Sequence, residues 1–168
     1  MIEIRLLQAS DTSDFFNHRL EGLKVISSAF GGSYEDEVKN GPDRYQTILE
    51  KQDHSNVILG AFTDGKLVGC VGLFQEVSTK ARHKAVIWGM FVKSSAQGKG
   101  IGKKLMVSAI THAKTIKEIQ LINLSAESTN QAAKGLYESM GFRTWGVEPK
   151  AIELEGKFYD EDHMILEF

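Results

Sequence analysis

The residues best suited to chemistry in this chain form the run Gln97-Gly98-Lys99-Gly100-Ile101-Gly102-Lys103-Lys104. Glycine lacks a Cβ, so three glycines in six residues let backbone approach a ligand closely and adopt positive φ. Upstream, Ala85 to Val92 (AVIWGMFV) is β-branched and aromatic and reads as a largely buried strand. Downstream, Ile101, Leu105, Ala109, Ala113 and Ile116 recur at helical spacing, with Met106 and Ile110 widening the stripe. The glycines therefore mark a strand handing over to a helix N-terminus. Amide N–H groups there have no intrahelical acceptor, and the helix dipole adds partial positive charge. Such a loop suits a pyrophosphate.

Spacing separates three phosphate loops. A Walker A loop would need glycine where Gln97 stands and a hydroxyl residue where Lys104 stands. A dinucleotide fingerprint begun at Gly98 and Gly100 meets Lys103 at its third position, and the acid Glu118 precedes its strand rather than ending it. The pattern Gln-x-x-Gly-x-Gly is met by Gln97, Gly100 and Gly102. A second block follows, with Asn130, Ala133, Leu136, Tyr137, Gly141 and Phe142 spaced as N-x-x-A-x-x-L-Y-x-x-x-G-F. In these two blocks the chain resembles the GCN5-related N-acetyltransferase (GNAT) superfamily, well over residues 56 to 146 and in outline before them.

The resemblance implies a mixed α/β (α+β) fold, with a central sheet of six to seven strands and about four helices. It implies acetyl-CoA as cofactor and transfer of its acetyl group to a primary amine by direct attack on the thioester. The acceptor is left open between a small-molecule amine and a peptide or protein amine. By resemblance, Gln97, Gly98, Lys99, Gly100, Ile101, Gly102 and Lys103 anchor the pyrophosphate, and the main chain of Met90, Phe91 and Val92 binds the pantetheine arm and acetyl carbonyl. The family's strand diverges from its neighbour there. Gly89, in an otherwise bulky strand, fits a bulge or close backbone approach, and equally simple packing.

Asn130, Ala133 and Tyr137 share one helix face, so a single stripe can meet the cofactor. On spacing alone Tyr137 is a core aromatic; the resemblance makes it the general acid that protonates the leaving thiolate. A phenol of pKa about 10 is protonated at neutral pH and can donate to a thiolate whose conjugate acid has pKa about 8.5. An alkylamine of pKa about 10.4 must lose a proton before it attacks. No residue is assigned as the base that removes it. Ala85 to Val92 holds no acid, Ser125 stands where some relatives carry Glu, Glu127, Glu76 and His83 read as solvated strand ends, and a water chain stands equally open. The rival reading is a coenzyme A-binding module without turnover.

The chain of 168 residues, 42% hydrophobic and 25% charged, suits one domain spanning residues 1–168. A net charge of −2 speaks against nucleic acid, and Lys99, Lys103 and Lys104 fit a phosphate-rich cofactor instead. No metal-ligand spacing, signal pattern or membrane-length apolar run is present, so a cytoplasmic, metal-free protein is expected; the family's habit of pairing leaves a homodimer open. Cys70 reads as core. The acidic stretches Tyr34–Glu37 and Tyr159–Asp162 offer themselves to a cationic amine, though solvated surface is the plainer role.

The elements that must position these residues follow from pattern. Ile2–Leu7 is a strand, Ser10 or Asp11 caps a helix ending near Gly31-Gly32, and a second helix begins at Pro42-Asp43. Asn56–Phe62 and Lys66–Phe74 form a hairpin about Asp64-Gly65. Arg82–Val92 precedes the glycine loop and its helix. Glu118–Ser125 should return parallel to it, before a helix over Thr129–Met140 ending at Gly141. Phe142–Val147, Ala151–Leu154 and His163–Phe168 read as closing strands.

Overall fold

The computed structural model describes residues 1–168. Its strands are β1 (Ile2–Leu6), β2 (Asn56–Thr63), β3 (Lys66–Gln75), β4 (Lys84–Val92), β5 (Leu121–Glu127), β6 (Arg143–Leu154) and β7 (Lys157–Glu167). Its helices are α1 (Thr12–Val25), α2 (Tyr34–Asn40), α3 (Asp43–Lys51), α4 (Ile101–Thr115) and α5 (Gln131–Ser139). One seven-stranded sheet runs in the order β1-β2-β3-β4-β5-β7-β6. Every neighbour is antiparallel except β4 and β5, which α4 joins in parallel as a crossover.

Local chemistry explains these elements. Asp64 and Gly65 both take positive φ, +50° and +73°, as the tight hairpin between β2 and β3 requires. Side chains alternate across the sheet. Val57, Leu59, Ala61, Val71 and Leu73 face α4, packing on Leu105, Met106 and Ala109; Ile58, Phe62 and Cys70 face α1 and α3, packing on Phe15, Tyr45 and Leu49. Cys70 is core, as expected, and burial pushes its thiol up to about 12. No helix is long and apolar enough to cross a membrane.

The first helix ends at Val25 instead of near Gly31-Gly32, and the last strand begins at Lys157 instead of His163. Three further differences from the sequence reading have physical causes. Residues 34–40 form a helix, because Ser33 accepts the Asp36 amide as an N-cap ahead of three acidic first-turn residues. Residues 143–154 form one strand rather than two, because the register slips between Glu148 and Ile152 and so absorbs Pro149, which has no N–H to donate. β5 begins at Leu121, since Lys117 and Glu118 turn the chain after α4.

The feature that makes a site is a split in this sheet. β4 and β5 pair only over Lys84–Val86 with Leu121–Asn123. Beyond that rung β4 stays on β3 as far as Val92, while β5 follows β7 as far as Glu127. Between Trp88 and Phe91 the register with β3 shifts, leaving Gly89 and Met90 opposite the single residue Val71. Gly89 has φ +64°, so the glycine makes a bulge there.

Candidate active site

The split opens a cleft walled by Ile87–Val92 of β4, Leu124–Glu127 of β5 and the inward stripe of α5. At its outer end lies the glycine loop. Gly98 and Gly100 take φ of +75° and +72°, and a Cβ built on either would meet nothing within 4 Å. The first helical bond of α4 runs from the Lys104 amide to Gly100 O, at 3.1 Å. The amides of Gly98 through Lys103 have no acceptor anywhere in the chain. Six unsatisfied donors on an open face, beside exposed Lys99, Lys103 and Lys104, fit a diphosphate. Ile101 contributes only its amide, because its side chain is in the core. Gln97 donates Nε2 to Val92 O at 3.0 Å, tying the loop to the end of β4.

Backbone on β4 is largely committed. Phe91 O receives His18 Nε2 of α1 at 3.2 Å, Val92 O receives Gln97, and Cys70 Sγ lies 3.5 Å from Gly89 O. Met90 lies in the bulge and has no cross-strand partner in the register with β3. His18 was not singled out by the sequence, since a lone histidine on an amphipathic helix carries no signal. Burial lowers its pKa to about 4, so the neutral ring donates through Nε2 and leaves Nδ1 unpartnered.

On α5, Asn130, Ala133, Leu136 and Tyr137 all line the cleft. Asn130 Oδ1 accepts the Ala133 amide at 3.1 Å, so that oxygen caps the helix and only the Asn130 amide nitrogen is left for a ligand. Tyr137 is 7% exposed, its ring stacks obliquely near Phe142, and its hydroxyl has no partner in the chain. Burial raises its pKa to about 12. Glu127 reaches the cleft with its carboxylate already satisfied by the Thr129 amide and hydroxyl, at 3.1 and 2.6 Å. Glu76 and His83 lie beyond the Lys84–Val86 rung, at the end of β4 away from the split.

A second cavity continues from the cleft past Phe30, Trp88, Gly89 and Ser125, and adds Arg19, Trp145, Glu161 and His163. The two acidic stretches divide here. Glu37 is buried against Arg19, Arg44 and Tyr45, and Asp162 is bound by Lys134 and Ser128 at 2.7 and 2.6 Å, so neither is free for an amine. Glu161 does line the cavity. Burial raises its pKa, with the charges of Glu148 and Glu127 adding to the rise and His163 opposing it.

A mixed sheet split just past one short parallel rung, with a glycine-rich helix start at the opening, defines an acyl-CoA N-acyltransferase fold. Residues 23–142 match the model of the acetyltransferase (GNAT) family, and the chain belongs to that family: it is an acetyltransferase and acetyl-CoA is its cofactor. It is 23% identical over 166 residues to a spermidine N(1)-acetyltransferase of Vibrio cholerae, covering 98% of this chain and 92% of that one. It is 33% identical over 97 residues to a spermine/spermidine N(1)-acetyltransferase of Bacillus subtilis, covering 55% of this chain and 63% of that one, less than two thirds. Among solved structures, a GNAT-family acetyltransferase from Streptococcus pneumoniae superposes with TM-score 0.89 at 22% identity, covering 100% and 99% of the two chains. The protein yncA of Salmonella typhimurium, solved with its cofactor acetyl-CoA, superposes with TM-score 0.86 at 20% identity, covering 99% and 94%.

Proposed function

We propose that the enzyme moves an acetyl group from acetyl-CoA to a primary amine of a small cationic acceptor, with both reactants meeting in the β4/β5 split. The observation that carries this is the pairing of unsatisfied loop amides at one end of the split with the unpartnered Tyr137 hydroxyl inside it. When bound, acetyl-CoA supplies an activated acetyl thioester. The amides of Gly98–Lys103, with Lys99 and Lys103, hold its diphosphate, and Gln97 braces that loop. On β4, Met90 of the bulge would supply the main-chain partners for the pantetheine arm, because Phe91 O and Val92 O are taken by His18 and Gln97. Asn130 nitrogen and the small side chain of Ala133 flank the arm.

Tyr137 lines the cleft and would lie by the thioester sulfur of bound acetyl-CoA. A phenol raised to about 12 keeps its proton throughout the physiological range. Against a thiol of pKa about 8.5, full transfer from it is uphill, so Tyr137 acts by donating a hydrogen bond to charge growing on sulfur. The proton that ends on sulfur comes from the acceptor nitrogen. A cationic acceptor is supported by Glu161 and the Trp88 and Trp145 rings in the second cavity, and by the polyamine relatives.

Calorimetry with acetyl-CoA, run beside a thiol-release assay over polyamines, lysine, aminoglycosides and peptide N-termini, tests this. Binding with release from a polyamine is the expected result. Heat without release from any amine would remove the transferase reading, and release only from peptides would remove the small acceptor. Tyr137→Phe should lower kcat about 100-fold with acetyl-CoA affinity nearly unchanged; unchanged kcat would dismiss Tyr137.

A further inference from the structure

Ser125 stands where the cleft meets the acceptor cavity, and it belongs to both walls. A serine is no base, but the fold gives this one a partner 38 residues away. Its Oγ lies 3.0 Å from Nδ1 of His163, its cross-strand neighbour on β7. On the far side of the ring, Nε2 lies 3.0 Å from Oε2 of Glu148 on β6. Three strands thus contribute one hydrogen-bonded chain, and its serine end opens on the cavity.

The direction of each bond follows from donor and acceptor chemistry. An ionised carboxylate only accepts, so in the neutral ring Nε2 carries the hydrogen and Nδ1 keeps its lone pair. Ser125 must then donate its O–H to Nδ1, which leaves its own lone pairs facing the cavity. We propose that Ser125, His163 and Glu148 form the proton relay that deprotonates the acceptor amine, an assignment that rests on the acetyltransferase reading above. Ser125 is the member that touches the acceptor, His163 is the base behind it, and Glu148 is a positioning residue.

The step balances. The acceptor's ammonium gives one proton to Ser125 Oγ while the serine's own proton moves to His163 Nδ1, making an imidazolium beside Glu148. The freed nitrogen lone pair forms the C–N bond as the C–S bond breaks with its electron pair on sulfur. The second nitrogen proton goes to sulfur, and His163 returns its proton to water.

The surroundings suit an imidazole that gains charge. A carboxylate oxygen of Glu148, one of Glu161 and a ring nitrogen of His163 all lie within 4.8 Å of one another, so two carboxylates lie beside the ring. The opposing charge is Arg19 of α1, on the cavity wall, and Glu37 holds that guanidinium at 3.0 Å. The Trp145 ring packs on His163 with centroids 5.6 Å apart. The chain is also poor as a structural device. The His163 and Glu148 side chains are 30% and 55% exposed, and pairs so open to water add little to stability.

The test compares wild type with Ser125→Ala, His163→Gln and Glu148→Gln, using the best amine of the panel and acetyl-CoA, with kcat and KM followed against pH. Wild type should show an acid limb in kcat from protonation of one group. His163→Gln should lose about 100-fold in kcat at neutral pH together with that limb, keeping its KM for acetyl-CoA. Added imidazole should restore part of the rate in His163→Ala. Glu148→Gln keeps an acceptor for Nε2, so it should lose only a few-fold. A readout independent of turnover is nitrogen NMR of the five histidines in the unliganded protein. The His163 ring should carry its hydrogen on Nε2, and Ser125→Ala should shift the Nδ1 resonance while leaving the other rings in place. A hydrogen on Nδ1, or a His163→Gln enzyme with normal kcat and an intact acid limb, would overturn the relay alone. A wild type that binds acetyl-CoA and turns over no amine would overturn the relay and the function together.

Discussion

Glu37 and Glu161 come from the two acidic stretches of the chain, and the fold pushes their ionisation in opposite directions. Glu37 is 3% exposed. Burial favours its neutral form, but a hydrogen bond from Tyr45 and the charges of Arg19 and Arg44 outweigh that and lower its pKa. Glu161 is half-buried with no cation of its own, and burial, Glu148 and Glu127 raise its pKa. A carboxylate answered on all sides by guanidinium and phenol is a structural pin between α1, α2 and α3. One left among other carboxylates, beside a histidine and a cavity, is where the proposed cationic acceptor would find its countercharge.

Substitutions at the two sites should therefore separate. Glu37→Gln strands two guanidiniums and should cost about 3–5 kcal/mol at neutral pH, read as a large fall in Tm. Because the folded pKa of Glu37 lies below the unfolded value, its contribution is complete above the unfolded pKa and disappears as pH falls through the folded one. The variant's acid denaturation curve should be flatter accordingly. A wild-type melting curve would break the contrast at its stronger end. Arg44→Ala removes the more open of the two cations, 52% exposed against 12% for Arg19, and should cost only about 1 kcal/mol in a denaturant titration.

Glu161→Gln should change sign. A raised folded pKa means stability falls as pH climbs from the unfolded value to the folded one, and the amide abolishes that slope. The variant should be more stable at neutral pH by a few tenths of a kcal/mol, about the size of a surface charge effect, while its KM for a polyamine rises. Lower stability with unchanged KM would place Glu161 with the structural carboxylates.

The backbone geometry proposed to hold the cofactor was legible in the sequence because it is local. Gln97 to Lys103 and Asn130 to Phe142 act through turn chemistry and helix spacing, which neighbouring residues encode. The parallel return of β5, the hairpin at Asp64-Gly65 and the positive φ of Gly141, +96°, follow from the same local signals. The cavity proposed for the acceptor was not legible. Ser125 and His163 meet only through the β5/β7 register, and Glu148 reaches His163 only because β6 slips by one residue near Trp145. The buried Glu37 looked like surface for the same reason: both arginines that answer it lie on other helices. His18 beneath Phe91 is a third case.

The three-residue rung at Lys84–Val86 has a mechanical consequence. Past it the sheet's two leaves, β1–β4 and β5–β7, are free of each other's ladder. A chain-like guest bearing its own amides can lie in that slot as a surrogate strand, joining the leaves while it stays. Loading would then stiffen the enzyme, and departure of the spent carrier would loosen it, so turnover and sheet integrity rise and fall together.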